Sequence, residues 1–181
     1  MSEKKQYNLS EIKLLVLDVD GVLTDGGLIL HDDGTESKIF NTLDGHGIRL
    51  WMRAGLKVAF LSGRSSGPTN RRAEQLEVDH CLTDCHFKLP ALEELTEREG
   101  LSKENIAYIG DDLPDIPAIR FAGFGAAVSN AVQEVKDSAD FVTSRRGGDG
   151  AVREVIEYIL KSCGKWDALM ERYLPSNTGS D

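Results

Sequence analysis

The sequence predicts a doubly wound α/β fold built on a parallel sheet. Three observations lead there. Short aliphatic runs recur along the chain: LLVL at 14–17, LKVAFL at 56–61 and IAYI at 106–109. The first is apolar on both faces, as a buried parallel strand is. Helical stretches separate them, and each run ends in polar residues: Asp18 to Asp20, Ser62-Gly63-Arg64, and Gly110-Asp111-Asp112. The carboxyl ends of a parallel sheet all face one way, so these residues are expected on one edge.

The elements follow in order. Leu14–Leu17 is the first strand and runs into DVDGVLTDGG. Gly26 and Gly27 break it. Leu28–Phe40 then alternates apolar and polar residues on both sides of Asp33-Gly34, the mark of a hairpin. Such a hairpin, projecting after the first strand, is placed to shield a site or to meet another subunit. Asp44–Ala54 carries Ile48, Leu50, Trp51 and Met52, and Gly55 closes it. It reads as a helix whose start two internal glycines weaken. Leu56–Leu61 is the second core strand, Pro68–Glu77 a polar helix and Val78–Leu82 a short strand. Pro90 fits the first turn of a helix that begins at Lys88 and runs to about Glu99. Ile106–Ile109 is the next strand and Pro114–Phe121 a short helix. Phe124–Val128 and Asp140–Val142 are further strands, with a helix near Ala131–Ser138 between them. After the glycine-rich Arg145–Gly150, an amphipathic helix covers Ala151–Leu160, and WDALMERYL and a polar SNTGSD close the chain. No repeat or linker divides the sequence. A single domain over 1–181 is expected, with a core of about 10–163 and a C-terminal tail of 164–181.

Composition sets the bounds. A chain of 181 residues buries a core without staples, and 40% hydrophobic with 28% charged residues is an ordinary globular balance. The net charge of −9 argues against nucleic acid and anionic membranes as partners, because both need a basic footprint. A small anionic substrate is compatible with it, since a metal and a few cations reverse the potential inside one cleft. MSEKKQYNLSEIK lacks the apolar stretch of a signal peptide, and no run reaches the length of a membrane span. Three cysteines, an odd count, read as reduced thiols, so a cytoplasmic protein is expected.

Asp18 and Asp20 lie one residue apart at the end of an apolar strand. Two carboxylates there repel each other and lose hydration, and a divalent cation is the usual compensation. Oxygen donors without thiolates suit magnesium. His80, Cys81, Cys85 and His86 form a second cluster, but their spacing matches no paired-cysteine zinc site. Trp51 and Trp166 are expected to pack, and Gly147, Gly148 and Gly150 to form a loop before a helix.

Four segments in chain order resemble the motifs of the haloacid dehalogenase-like phosphatase superfamily: Asp18-Val19-Asp20-Gly21-Val22-Leu23, Ser62, Lys88, and Gly110-Asp111-Asp112-Leu113-Pro114-Asp115. The resemblance implies a Rossmann-like fold and a phosphomonoester hydrolase. It implies that Asp18 is the nucleophile, forming an aspartyl-phosphate, and that Asp20 is the general acid and then the general base. Asp18, Asp20 through its backbone carbonyl, and Asp111 are then the Mg2+ ligands, with Asp112 and Asp115 as outer supports. Ser62 is implied to hydrogen-bond a phosphoryl oxygen, and Lys88 to neutralise charge on Asp18 and the phosphate.

The gaps after the first motif and between the second and third hold only a hairpin with one helix, and one helix with one strand. A capless member is expected, which takes its specificity from elsewhere, commonly a neighbouring subunit. DVDGVLTDG, LDGHGIRL, LSGRSS, YIGDDLPDIP, VKDSADFVT and GGDGAVREV together resemble one branch, the 3-deoxy-D-manno-octulosonate 8-phosphate phosphatases of lipopolysaccharide biosynthesis. That implies a phosphorylated sugar acid as substrate. It also implies a homotetramer in which the hairpin and C-terminal segment of one subunit approach another's site. Thr24, Gly63, Arg64 and His46 are the candidate substrate contacts; the Arg64 guanidinium suits a carboxylate or phosphate. Arg71, Arg72, Arg145 and Arg146 are secondary candidates. The chain departs from the branch in CLTDCHF before Lys88, which lacks a glycine, and in Asp149, which stands where a basic residue is expected. The second departure leaves a nine-carbon sialic-type sugar acid 9-phosphate as an alternative substrate. Of readings from other classes, a phospho-aspartate receiver carries its acids adjacent on the first strand and accepts phosphate on a later one. A non-catalytic regulatory module is opposed by the intact Asp18, Asp20, Lys88 and Asp111.

Overall fold

The computed structural model of the protein describes residues 7–174. The first strand, β1 (Leu14–Leu17), is wholly buried, as its unbroken aliphatic run requires. A hairpin follows, β2 (Ile29–Leu30) and β3 (Glu36–Ser37), turned by Gly34 and by Asp33, whose Oδ1 accepts the Thr35 N–H at 2.9 Å. Then come α1 (Thr42–Arg53), β4 (Lys57–Leu61), α2 (Gly67–Leu76), β5 (His80–Leu82), α3 (Lys88–Arg98), β6 (Ile106–Gly110), α4 (Ile116–Phe121), β7 (Phe124–Ala127), α5 (Gln133–Ser138), β8 (Phe141–Val142), α6 (Ala151–Ser162) and α7 (Trp166–Met170).

Six strands form one parallel sheet in the order β5-β4-β1-β6-β7-β8, the doubly wound α/β arrangement expected. The chain leaves β1 outwards through β4 and β5, then returns to build the other half from β6. The order therefore reverses between β1 and β6, and ligands bind outside the strand ends at such a reversal. In register, Leu17 stands beside Phe60 on one side and Ile109 on the other. Leu14 to Leu17, Val58 to Leu61 and Ile106 to Ile109 are fully buried. Each such aliphatic side chain contributes about 1.5–3 kcal/mol over an exposed position. Among the described residues, no helix is long and apolar enough to cross a membrane.

Several boundaries differ from expectation for local reasons. The first helix begins at Thr42 rather than Asp44, because Asn41 Oδ1 accepts the Leu43 N–H at 2.8 Å and caps it there. Asp44, in its first turn, does a second job: its carboxylate accepts the N–H groups of Gly150 (3.2 Å) and Arg153 (2.9 Å), so one buried acid caps α6. Of the two glycines that weaken α1 in isolation, Gly45 makes room for Arg72 of α2 and Gly47 lets the helix lie on α6. A Cβ at Gly47 would come within 3.0 Å of Arg153 Cδ and 3.2 Å of Arg153 Cα. The third sheet-edge strand starts at His80 rather than Val78, because Asp79 turns back to pair with Val58 through both its N–H and its carboxylate. Trp51 is fully buried and donates its indole N–H to the Lys57 carbonyl at 2.8 Å, a packing role as expected. Part of the expected tail is helical: α7 docks through Trp166, whose ring lies under the cations of Lys161 (4.7 Å) and Arg153 (5.5 Å). The polar end at 175–181 lies outside the described residues.

Candidate active site

The cleft opens at the carboxyl ends of β1, β4 and β6. Asp18 extends the ladder of β1, donating its N–H to the Ile109 carbonyl at 3.0 Å, and its carboxylate is then released at the sheet edge, 5% exposed. Ser62 occupies the same position after β4, and Asp111 after β6. Lys88 opens α3. A cleft of about 400 Å³ is lined by Asp18, Asp20, Ser62, Gly63, Arg64, His86, Lys88, Asp111, Asp112 and Asp115 among others. Residues from four separate stretches of sequence meet there.

At its floor, the Lys88 ammonium lies 2.8 Å from Asp18 Oδ1 and 2.6 Å from Asp115 Oδ1, with all three side chains buried. Burial alone would lower the Lys88 pKa. The negative charges of Asp18 and then Asp115 outweigh it and raise the value, so Lys88 stays an ammonium. Asp18 is held well above the usual carboxylate range, first by burial and then by the charge on Asp115, with Lys88 pulling it back. Asp111 is pushed up to about 6, again by burial first and Asp115 second.

These raised values mark negative charge that the chain alone does not offset. Asp18, Asp111 and Asp115 each offer an oxygen within 4.8 Å of the others. Their free valences differ, however. Asp115 Oδ1 accepts from Lys88 and from the Tyr108 hydroxyl (2.7 Å), and its Oδ2 accepts the N–H groups of Asp111 (3.0 Å) and Asp112 (3.1 Å). Its lone pairs are fully used. Asp111 Oδ1 is buried and has no hydrogen-bond partner. A cation therefore fits between Asp18 and Asp111, with Asp115 as the brace that aims Lys88. The donors are all oxygen, which suits magnesium.

The loop after β1 is pressed against this centre. Gly21 adopts a left-handed conformation (φ +92°), and a Cβ there would stand 2.0 Å from Asp111 Oδ2. Only glycine combines that backbone with that approach. Asp20, two residues on from Asp18, turns to the hairpin side. Its Oδ1 accepts from the Lys38 ammonium at 2.6 Å, and its Oδ2 lies 3.8 Å from Arg64 Nε. Arg64 also reaches Glu36 at 3.2 Å.

Not every expected residue arrives in the role read for it. Thr24 is buried, and its Oγ1 accepts the N–H groups of Gly21 (3.3 Å) and Gly26 (3.2 Å); it braces the loop rather than meeting a ligand. His46 does not line the cleft. It stands on the outside of α1 against Tyr173, 3.2 Å from that hydroxyl. Asp112 lines the cleft but spends one oxygen capping the turn at Leu113 (2.8 Å). The loop at 147–150 packs under the loop after β1, with Gly148 donating to the Val22 carbonyl at 2.9 Å. His80, Cys81, Cys85 and His86 face different partners: Glu99, Asn70, Thr83 and Asp84. They are not among the metal-spaced group found in the described residues.

Two buried residues escaped the sequence reading, Lys38 and Tyr108. Lys38 carried a faint signal: two-residue alternation puts it on one face of the hairpin with Glu36. Tyr108 sits inside an apolar strand and carried none.

The model of a haloacid dehalogenase-like hydrolase family matches residues 85–156. 3-Deoxy-D-manno-octulosonate 8-phosphate phosphatase KdsC of Escherichia coli (strain K12) is 41% identical over 156 residues, covering 86% of this chain and 83% of that one. The crystal structure of a probable YrbI family phosphatase from Pseudomonas syringae pv. phaseolica is similar with a TM-score of 0.91 at 44% identity, covering 93% of this chain and 96% of that one. The 3-deoxy-D-manno-octulosonate 8-phosphate phosphatase of Moraxella catarrhalis, solved with magnesium, phosphate and KDO, gives a TM-score of 0.90 at 42% identity, over 92% and 95% of the two chains.

Proposed function

The chain belongs to the 3-deoxy-D-manno-octulosonate 8-phosphate phosphatases of the haloacid dehalogenase-like hydrolases, and from that premise we propose how it works. It hydrolyses 3-deoxy-D-manno-octulosonate 8-phosphate to the free sugar acid and phosphate, with magnesium. The observation that carries this reading is the Lys88 ammonium held between Asp18 and Asp115, beside an Asp111 oxygen with no partner.

Asp18 acts as nucleophile. A carboxylate oxygen attacks phosphorus, the bond from phosphorus to the sugar oxygen breaks, and Asp18 carries the phosphoryl group. Asp20 gives a proton to the departing oxygen. It then takes one from the water that attacks the aspartyl-phosphate, and Asp18 and phosphate are released. Burial disfavours the ionised Asp18 that this needs, and Lys88 counters it. Magnesium would be held by Asp18, Asp111 and the Asp20 carbonyl, and would supply the further positive charge. Ser62 donates its hydroxyl to a phosphoryl oxygen, and Gly63 and Arg64 frame the substrate beside it. Asp115, fixed by four donors, keeps Lys88 aimed, and Asp112 shapes the turn beside the metal ligands.

The whole chain acts as one phosphatase domain, in the cytoplasm, where its three free thiols persist. Its partner is a second copy of itself. Leu30 and Ile39 of the hairpin are 70% and 73% exposed, an apolar surface that a homotetramer covers.

Phosphate release from a panel of phosphorylated sugar acids, plain sugar phosphates and nucleotides tests this, with magnesium and with chelator. Release is expected from the eight-carbon acid, dependent on magnesium and abolished by Asp18→Asn. No release from any substrate, or an undiminished Asp18→Asn enzyme, overturns the reading. Preference for the nine-carbon acid moves the substrate assignment to the sialic-type sugar.

A further inference from the structure

Lys38 is the one cation that the hairpin sends into the site. Its side chain is wholly buried, with Nζ 2.6 Å from Asp20 Oδ1 and 3.4 Å from Thr69 Oγ1. A buried ammonium is costly unless it is paired, so this contact constrains both partners. It also closes a ring of alternating charge. Lys38 meets Asp20, Asp20 faces Arg64 at 3.8 Å, Arg64 meets Glu36 at 3.2 Å, and Glu36 returns to Lys38 at 4.0 Å. Within the ring the two oxygens of Asp20 are unlike. Oδ1 is taken by Lys38, whereas Oδ2 is buried with no hydrogen-bond partner.

We propose that Lys38 is a positioning residue for the phosphatase reaction. By occupying Oδ1 it leaves Oδ2 as the oxygen that exchanges protons. This rests on the reading of Asp20 given above. As the bond from phosphorus to the sugar oxygen breaks, the proton on Oδ2 passes to that oxygen. In the second half, Oδ2 takes a proton from water as the water oxygen bonds to phosphorus and the bond from phosphorus to Asp18 breaks. Lys38 touches no reacting atom. It acts by aim, and it makes the aim of Asp20 depend on where the hairpin lies.

The test uses the magnesium-loaded full chain and two esters. The sugar acid leaves its 8-phosphate as an alkoxide that needs a proton, and 4-nitrophenol leaves its phosphate as a phenolate that does not. For Lys38→Met, turnover of the sugar ester is expected to fall about 10²-fold, the scale of a misplaced general acid, with KM little changed. The first turnover of the aryl ester proceeds at close to the wild-type rate and appears as a burst, followed by slow release of phosphate. Lys38→Arg keeps a cation in the pocket and shows the same split to a smaller degree, which covers a Lys38→Met chain that does not fold. Equal loss of first-turnover rate on the two esters overturns the proposal, because mere damage to the fold slows both. So does undiminished turnover on the sugar ester. Asp20→Asn is run alongside. If it turns over like wild type, the reading of Asp20 fails and this role of Lys38 with it. If it is slow while Lys38→Met is not, the role of Lys38 alone fails.

Discussion

Asp115 shows how much a residue's partners add to its type. In sequence it is one of three acids in a short motif, any of which suits a metal. Four donors on its two oxygens leave it no lone pair, and the orphaned oxygen belongs to Asp111. The motif was legible in the sequence, and its resemblance to the family implied Asp111 as ligand and Asp115 as outer support; the physical cause of that division was not legible, since it depends on Tyr108 arriving from inside β6 and on backbone N–H groups of the turn. The raised Asp111 pKa has a measurable consequence. Its carboxyl prefers to stay protonated below about 6, so below that value a proton competes with the cation. The increase in melting temperature on adding magnesium is expected to be small at pH 5 and larger at pH 7. For the metal-free protein the sign is opposite to that of a salt-bridged acid. Between the ordinary value of 3.8 and about 6 the folded state binds more protons than the unfolded chain, so Asp111 makes stability fall as pH rises through that window. A magnesium shift that is the same at both pH values contradicts this account.

Among the elements, α1 was the least certain in sequence and is the one the fold depends on in two ways. Its internal glycines read as weakness because propensity is a local quantity, whereas their use lies in other helices: Gly45 clears Arg72 of α2, and Gly47 clears α6, over a hundred residues away. Gly47→Ala puts the two effects in competition. Alanine gains about 1 kcal/mol of helix propensity. The added methyl meets the backbone of Arg153 at 3.2 Å, which does not yield as a side-chain tip would, and overpacking of this kind costs about 1–3 kcal/mol. A net loss is expected, read as a melting temperature lower by a few degrees; a rise shows that α6 gives way. Asp44 is a similar case. In sequence it is only the first residue of the expected helix, and its work is to cap another one. The core strands and their polar ends, by contrast, were legible almost to the residue, because a strand buried on both faces leaves a short aliphatic run bounded by turn residues, and a helix needs a longer stretch.

At the scale of the whole molecule, sheet order explains both the success and the misses. A parallel sheet delivers the ends of β1, β4 and β6 to one edge whatever lies between them, so Asp18, Ser62 and Asp111 were predictable as a set. Side chains that approach from outside the sheet have no such rule. That is why His46 points away against Tyr173 and Lys38 arrives unannounced from the hairpin. The exposed hairpin also sets the expected state of association. Light scattering is predicted to give a tetramer, and Leu30→Asp, at a position 70% exposed in the single chain, a smaller species. A wild-type monomer with full activity contradicts the shared assembly. Finally, the two tryptophans occupy opposite surroundings: Trp51 is dry and hydrogen-bonded in the core, and Trp166 is half-buried under two cations at the C-terminal helix. The molecule therefore carries two intrinsic fluorophores of different colour and quenching. One reports the integrity of the sheet and the other the docking of the chain end, and neither lies in the cleft where substrate would disturb it.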